Sequence, residues 1–295
     1  MKQNLIASAL LASLGCALVS SAFANAPVAT RIFRPARLTR GDTNIRIVQP
    51  IDTASWIWSK EDAVPSVFVF RNRFEVKPGE GPVTIDVSAD ERFYLTCDGA
   101  FVARGPNRAD IPNWQYQTYR LDLKPGAHVL RVVVTRLGND APLAQLSYSG
   151  GFILKASEPF DGLLTTGRAD WRVGALKGTV GDRTLEQADA WGVGSPFRVV
   201  GTGLLDEEPE SWQTVEVVRK PISPRGTGWR VPGWMPYPAQ IEDQLERRVC
   251  PGKFRISPFG EEFRPFVVPA RSRVELLWDL ENYYCAYPEL ATDGG

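Results

Sequence analysis

Residues 92–105, RFYLTCDGAFVARG, place two apolar segments on either side of the pair Asp98-Gly99. Asp-Gly is favoured at the centre of two-residue hairpin turns, because both central positions need a positive φ angle. The flanking segments are rich in aromatic and β-branched residues, which is typical of strands. This stretch therefore predicts a β-hairpin.

The β pattern continues on both sides of this hairpin. Apolar and polar residues alternate in residues 67–76, and a Gly-Glu-Gly turn separates them from a second strand pattern at 82–90. Residues 116–137 contain two further strand patterns around Lys-Pro-Gly, and residues 143–156 contain two around Gly-Gly. About seven short antiparallel strands at this spacing are typical of a β-sandwich or jelly roll. We predict an all-β chain, with a jelly-roll/β-sandwich domain followed by further β-sandwich segments.

The first residues are typical of an export signal. Lys2 precedes an apolar stretch, Leu5 to Val19, that is too short to span a bilayer. The small residues of Ser21–Ala24 then provide a cleavage pattern, with cleavage after Ala26 as the alternative. We therefore predict a secreted or periplasmic protein whose mature chain starts near residue 25.

Composition and turn chemistry divide the chain into five predicted parts. Residues 221–238 contain five prolines and three glycines together with Trp229, Trp234 and Tyr237. This predicts an ordered connector whose aromatic rings pack against protein rather than bind sugar. The parts are a signal peptide (1–24), an N-terminal extension with the first strands (25–65), a jelly-roll β-sandwich (66–220), a Pro-rich connector (221–240) and the start of a second β domain (241–295).

The charge balance and the scarcity of histidine argue against several functions. Thirty-four basic residues match 34 acidic ones, so no net field favours nucleic acid or anionic lipid, and we predict neither as a partner. His128 is the only imidazole, which argues against a zinc site or a Ser-His-Asp hydrolase, and its position suits a strand edge. After signal removal Cys97, Cys250 and Cys285 remain, so at most one disulfide forms and Cys250 could pair with either of the others.

The acidic clusters do not form an obvious catalytic pair. Residues 206–208 and 261–262 are adjacent carboxylates, and adjacent side chains on an extended chain point to opposite faces. We therefore expect solvated charges there. Residues 90–92 and Asp98 lie at predicted turns, where a carboxylate caps backbone N–H groups. Calcium held by such loop oxygens is an open alternative. We predict no other metal or cofactor.

One loop combines the groups that a carbohydrate site needs. Sugars present apolar C–H faces and a ring of hydroxyls, so their sites pair aromatic rings with planar hydrogen-bonding groups. The candidate binding residues are Arg104, Asn107, Arg108, Asp110, Trp114 and Tyr116. In the alternative, the two aromatic rings plug the end of the sandwich, while Arg104 and Asp110 pair to hold the loop. The loop could also shape the active site of a neighbouring domain.

Several segments resemble bacterial α-L-rhamnosidases of glycoside hydrolase family 78, and they occur in the order seen in that family. The segments are SWIWSK (55–60), FRNRFEV (70–76), VSADERFYLTCDGAFVARGPNRAD (87–110), WQYQTYRLDL (114–123), KPGAHVLRVVV (124–134), DWRV (170–173) and VELLWDLENYYCAYPEL (274–290). The last two resemble the family's middle region, where β structure leads into the catalytic domain.

This resemblance implies a function that the composition does not reveal. In the family, an (α/α)6 barrel follows a Leu-Trp-Asp-like stretch and carries the acids for inverting hydrolysis. We therefore expect a non-catalytic β region of an exported enzyme that acts on rhamnose-containing plant glycosides or polysaccharides. Its expected partners are such a glycan and a C-terminal helical barrel, which would lie beyond residue 295. No catalytic residue carries over, and we expect the chain alone to be inactive. The alternative is a stand-alone secreted carbohydrate-binding or adhesion module.

The resemblance also suggests that aromatic residues near residue 280 face a following domain. These are Trp278, Tyr283, Tyr284 and Tyr287. Without that domain they would form an exposed apolar patch, so we expect self-association of the chain by itself.

Overall fold

The computed structural model describes residues 28–34, 49–61, 63–138, 141–142, 145–181, 197–199, 207–220, 233–244, 252–261 and 266–284. Several features of the sequence analysis lie outside these residues: the signal peptide, Asp206, Trp229, Cys250, Glu262, Cys285 and Tyr287. The chain forms two compact units, residues 1–241 and residues 242–295. None of the helices in the described part has the length and apolar character that a membrane crossing requires.

The described secondary structure is almost entirely β. The strands of the first unit are β1 (Val28–Ile32), β2 (Trp56–Trp58), β3 (Ser66–Val76), β4 (Val83–Asp90), β5 (Arg92–Cys97), β6 (Ala100–Gly105), β7 (Trp114–Asp122), β8 (Gly126–Arg136), β9 (Gly151–Ala156), β10 (Arg172–Ala175), β11 (Thr179–Gly181), β12 (Phe197–Val199), β13 (Gln213–Thr214), β14 (Glu216–Arg219) and β15 (Pro236–Pro238). The second unit contains β16 (Lys253–Ile256) and β17 (Leu277–Asp279). Two 3-10 helices (Pro50–Thr53 and Ile111–Asn113) and one short helix, α1 (Asp161–Leu164), complete the elements.

Two large sheets form the sandwich of the first unit, and β11 and β12 form a separate two-stranded antiparallel sheet. One has the strand order β1-β7-β4-β9-β2-β14, with β15 added parallel to β7. The other has the order β13-β10-β3-β8-β5-β6. Buried apolar side chains from both sheets form one core cluster, so the sheets pack as a sandwich. The predicted all-β sandwich is confirmed.

The strands alternate between the core and the opposite face. In β4, Val83, Ile85 and Val87 belong to the core cluster, whereas Asp86 and Ser88 occupy the intervening positions. This follows from the two-residue period of a strand, which sends successive side chains to opposite faces. The polar positions therefore mark the outer face of the seven-stranded sheet.

The predicted hairpin is formed by β5 and β6. Asp98 and Gly99 have φ angles of 51° and 78°, so both central turn residues are left-handed, as a type I′ turn requires. Asp98 also accepts a hydrogen bond from the backbone N–H of Val129 at 2.8 Å. The expected capping role of this carboxylate is thus confirmed.

Asp90 and Glu91 are fully buried and bond to backbone N–H groups, as predicted for turn carboxylates. Asp90 accepts from the backbone of Tyr148 at 2.7 Å and from the Trp234 indole at 2.8 Å. Glu91 accepts from the backbone N–H of Gly138 at 2.8 Å. Burial raises the pKa of the Asp90 carboxyl, and these hydrogen bonds oppose that shift.

A second apolar cluster covers the outer face of the seven-stranded sheet. It contains Ile51, Ala54, Trp56, Trp114, Tyr116, Ile153 and Trp234. The ring of Trp234 stacks on Trp56 with centroids 4.0 Å apart and planes at 16°. Trp234 of the connector therefore packs against protein, as expected.

The second unit has a single described strand pair, in which β16 pairs antiparallel with β17. Phe254 and Trp278 contact each other across this pair, with ring centroids 6.0 Å apart. Trp278 is 41% exposed and Tyr283 is 89% exposed. The expected exposure of these two rings is confirmed.

Candidate functional site

The outer face of the six-stranded sheet combines apolar and cationic side chains. Its centre is a small cluster of Val67, Val69, Val133 and Leu176, against which Tyr94 and Trp212 pack. Because β3, β8 and β5 are neighbours, these side chains form a continuous strip across the sheet. The four apolar side chains of the strip are buried, and the partly buried rings of Tyr94 and Trp212 pack against them.

The aromatic part of the strip extends from Tyr94 to Phe101 on the hairpin. Their ring centroids lie 5.3 Å apart, and Phe101 is 50% exposed. Arg104 stands directly opposite Tyr94 in the β5–β6 ladder, so its side chain leaves the same face of the sheet. A guanidinium group therefore borders the aromatic pair.

Three arginines occupy aligned positions on neighbouring strands of this face. Arg71 of β3 lies opposite Arg172 of β10 on one side and Arg131 of β8 on the other. The Arg71 guanidinium lies 3.8 Å from the centre of the Trp212 ring. Glu208 forms ion pairs with Arg71 at 3.4 Å and with Arg131 at 3.6 Å. Burial lowers the pKa of Arg71, Arg73 adds to that shift and Glu208 opposes it.

Glu208 itself belongs to the acidic cluster that the sequence indicates as solvated. Its side chain is 55% exposed. Arg71 and Arg131 both pair with this carboxylate, so Glu208 serves electrostatic pairing across the face of the sheet.

The polar residues of the predicted binding loop lie at and beyond the end of β6. Arg104 and Asn107 are half-buried and Arg108 is exposed. Asp110 caps the 3-10 helix, accepting from the backbone N–H of Asn113 at 2.9 Å and from its side-chain amide at 2.8 Å. The aspartate therefore shapes the loop, while the other three side chains reach its surface.

The two predicted aromatic residues of this loop are covered by protein. Trp114 is 3% exposed and Tyr116 is 0% exposed. The Trp114 indole donates to the carbonyl of Ala89 at 3.2 Å, and the Tyr116 hydroxyl bonds to Gln49 at 3.3 Å. Neither ring presents a face to a sugar. Both rings are buried against protein, as in the alternative in which they have a structural role. They lie on an outer face of the sheet, however, and not at the end of the sandwich.

Tyr94 and Phe101 are thus the aromatic residues that the sequence analysis missed. The signal was present, because Phe93 and Leu95 are core positions and the strand period places Tyr94 on the opposite face. Phe101 is exposed and Tyr94 is half-buried, so their rings can pack on C–H faces while the Arg104 guanidinium group donates hydrogen bonds to hydroxyls. The arrangement suits binding of a polyhydroxylated ligand.

No protein-family model and no curated protein match this sequence. A family 78 rhamnosidase of Bacillus sp. GL1 matches in structure, with a TM-score of 0.54 and 24% identity over 68% of this chain. The fold of this chain is similar to part of that enzyme. The α-L-rhamnosidase of Dictyoglumus thermophilum has a TM-score of 0.40 and 14% identity, with 63% of this chain covered. A Pleurotus ostreatus lectin has a TM-score of 0.34 and 13% identity, with 59% of this chain and 44% of the lectin covered. The chain spans 21% and 22% of the two rhamnosidases.

Proposed function

We propose that this chain is the non-catalytic, carbohydrate-binding-like β region of an exported α-L-rhamnosidase-like glycoside hydrolase. The substrates would be rhamnose-containing plant glycosides or polysaccharides. The observation that carries the proposal is the Tyr94–Phe101 pair beside Arg104, which a rhamnosidase-like β-sandwich presents on an outer face. The choice of rhamnose as the sugar rests on the sequence segments that resemble family 78 and occur in the same order.

The chemistry of this face fits a deoxy sugar. Rhamnose carries a methyl group as well as C–H bonds, and both pack favourably on an aromatic ring. A guanidinium group offers several N–H donors in one plane, which matches pairs of neighbouring hydroxyls. Hydrolysis itself would belong to a separate catalytic domain, and this chain would hold the glycan near it.

Binding of the full chain to a rhamnose-containing oligosaccharide tests the proposal. We expect Phe101→Ala to weaken the affinity by about tenfold, which corresponds to about 1.4 kcal/mol of lost ring contact. The matched control is Phe33→Ala, since Phe33 is also exposed, at 46%, but follows β1 of the other sheet. Isothermal titration calorimetry measures the affinities of wild type and of both variants. A glucose oligosaccharide serves as a second control ligand. Equal affinities of wild type and Phe101→Ala, or no binding by wild type, would contradict the proposal.

A further inference from the structure

Three chemically distinct side chains meet at one end of the sandwich core. Cys97 ends β5 and belongs to the core cluster, Asp98 begins the hairpin turn, and His128 is the third residue of β8. Their thiol, carboxylate and imidazole ligand atoms all lie within 4.8 Å of one another. Sequence spacing does not reveal this group, because His128 is 30 residues from Asp98.

We propose that Cys97, Asp98 and His128 form a binding site for a zinc ion, with the thiolate Sγ, the carboxylate Oδ2 and the imidazole Nδ1 as ligands. Zinc prefers tetrahedral sets of sulfur, nitrogen and oxygen atoms, and water would complete this set. The site departs from the sequence expectation that the chain holds no metal. It is independent of the proposed carbohydrate function.

Backbone groups already hold two of the three ligands in place. The Nε2 of His128 lies 2.7 Å from the carbonyl of Lys124, so that nitrogen carries the proton and Nδ1 faces the cluster. A metal-bound histidine commonly donates its other N–H in this way, which fixes its tautomer. The Oδ1 of Asp98 accepts from the backbone N–H of Val129 at 2.8 Å, which leaves Oδ2 toward His128.

The electrostatic setting favours a cation at this point. The Oδ2 of Asp98 and Nδ1 of His128 lie 2.6 Å apart in a hydrogen bond, so both atoms already face the point where a cation would bind. Burial, together with the nearby Asp98 charge, raises the pKa of the Cys97 thiol to about 12. Zinc would offset both effects by bringing positive charge to the sulfur.

The surroundings indicate a structural rather than a catalytic metal. Cys97 is fully buried, the His128 side chain is 11% exposed, and the Phe74 ring centroid lies 5.6 Å from that of His128. An ion here would join the turn between β5 and β6 to the start of β8. Metal binding would therefore stabilise the hairpin that carries Tyr94 and Phe101.

Cobalt titration of the full, reduced chain tests the site, because a cobalt–thiolate bond gives a charge-transfer band in the near ultraviolet. We expect the band in wild type, its loss in Cys97→Ser, and at least a tenfold weaker affinity in His128→Gln. The matched control is the double variant Cys250→Ser/Cys285→Ser, which removes the other thiols that follow the predicted signal peptide and should keep the band.

Thermal unfolding separates loss of the metal site from a folding defect, because the Tm of each variant is compared with and without zinc. Added zinc should raise the Tm of wild type and of the Cys250→Ser/Cys285→Ser variant, but not the Tm of Cys97→Ser measured against its own metal-free state. The proposal is overturned if wild type gives no band, if Cys97→Ser keeps it, or if only the double variant loses it.

Discussion

At the residue scale, Asp90 shows how one buried carboxylate can organise distant segments. Besides Tyr148 and Trp234, it accepts from the Ser147 hydroxyl at 2.7 Å and from the Ser149 backbone at 3.2 Å. These donors come from the segment before β9 and from the connector. A buried carboxylate is tolerated because its oxygens are hydrogen-bonded, and the donors in turn depend on it.

Replacing this carboxylate should therefore destabilise the fold. We expect Asp90→Ala to lower the free energy of unfolding by about 3 kcal/mol, because it leaves several buried donors without an acceptor. The control Asp110→Ala removes an exposed helix cap and should cost about 1 kcal/mol. Urea unfolding followed by tryptophan fluorescence measures both, and equal losses would show that Asp90 does not organise these segments.

At the element scale, the β5–β6 hairpin connects the fold with the candidate site. Its two-residue turn sets the first pairs, which include Thr96 opposite Phe101. A bulge between Leu95 and Thr96 then shifts the register, so that Tyr94 lies opposite Arg104. The turn and the bulge together therefore determine which side chains share the outer face.

The turn itself can be tested with two glycines that differ in one property. A Cβ added at Gly99 or at Gly81 would meet no atom within 4 Å, but only Gly99 has a left-handed φ, of 78°. We expect Gly99→Ala to cost about 1–2 kcal/mol of stability, because L-residues are strained there. Gly81→Ala should be neutral or stabilising by about 0.5 kcal/mol. Comparable losses in urea denaturation would argue against turn strain as the cause.

At the scale of the whole molecule, large exposed apolar side chains are concentrated in the short second unit. Val267 is 82% exposed and Leu277 is 53% exposed, in addition to Tyr283 at 89%. Exposed apolar surface of this kind mediates contacts with other proteins or between copies of a chain.

We therefore expect the full chain to bind a hydrophobic dye and to self-associate at micromolar concentration. The double variant Leu277→Ser/Tyr283→Ser should reduce both properties, because it removes exposed apolar area. Phe33→Ser, at an exposed position of the first unit, is the control and should leave them largely unchanged. Sedimentation of wild type as a monomer without dye binding would refute this expectation.

The sequence by itself determined the local features of this protein. The strand period of residues 71–76 and the Asp98-Gly99 turn depend on neighbours along the chain, and the structure confirms both, whereas residues 67–70 are buried on both faces. The period of two also indicates that Tyr94 and Leu95 point to opposite faces.

Only the tertiary structure decided which faces are covered. Trp114 and Tyr116 are buried because β15, more than a hundred residues later, pairs with β7 and brings Trp234 over this face. The meeting of Cys97 with His128 likewise depends on the pairing of β5 with β8. Such contacts join segments that are distant in sequence. The period of a strand shows that its two faces differ, but the partner that covers a face is fixed only when the sheets assemble.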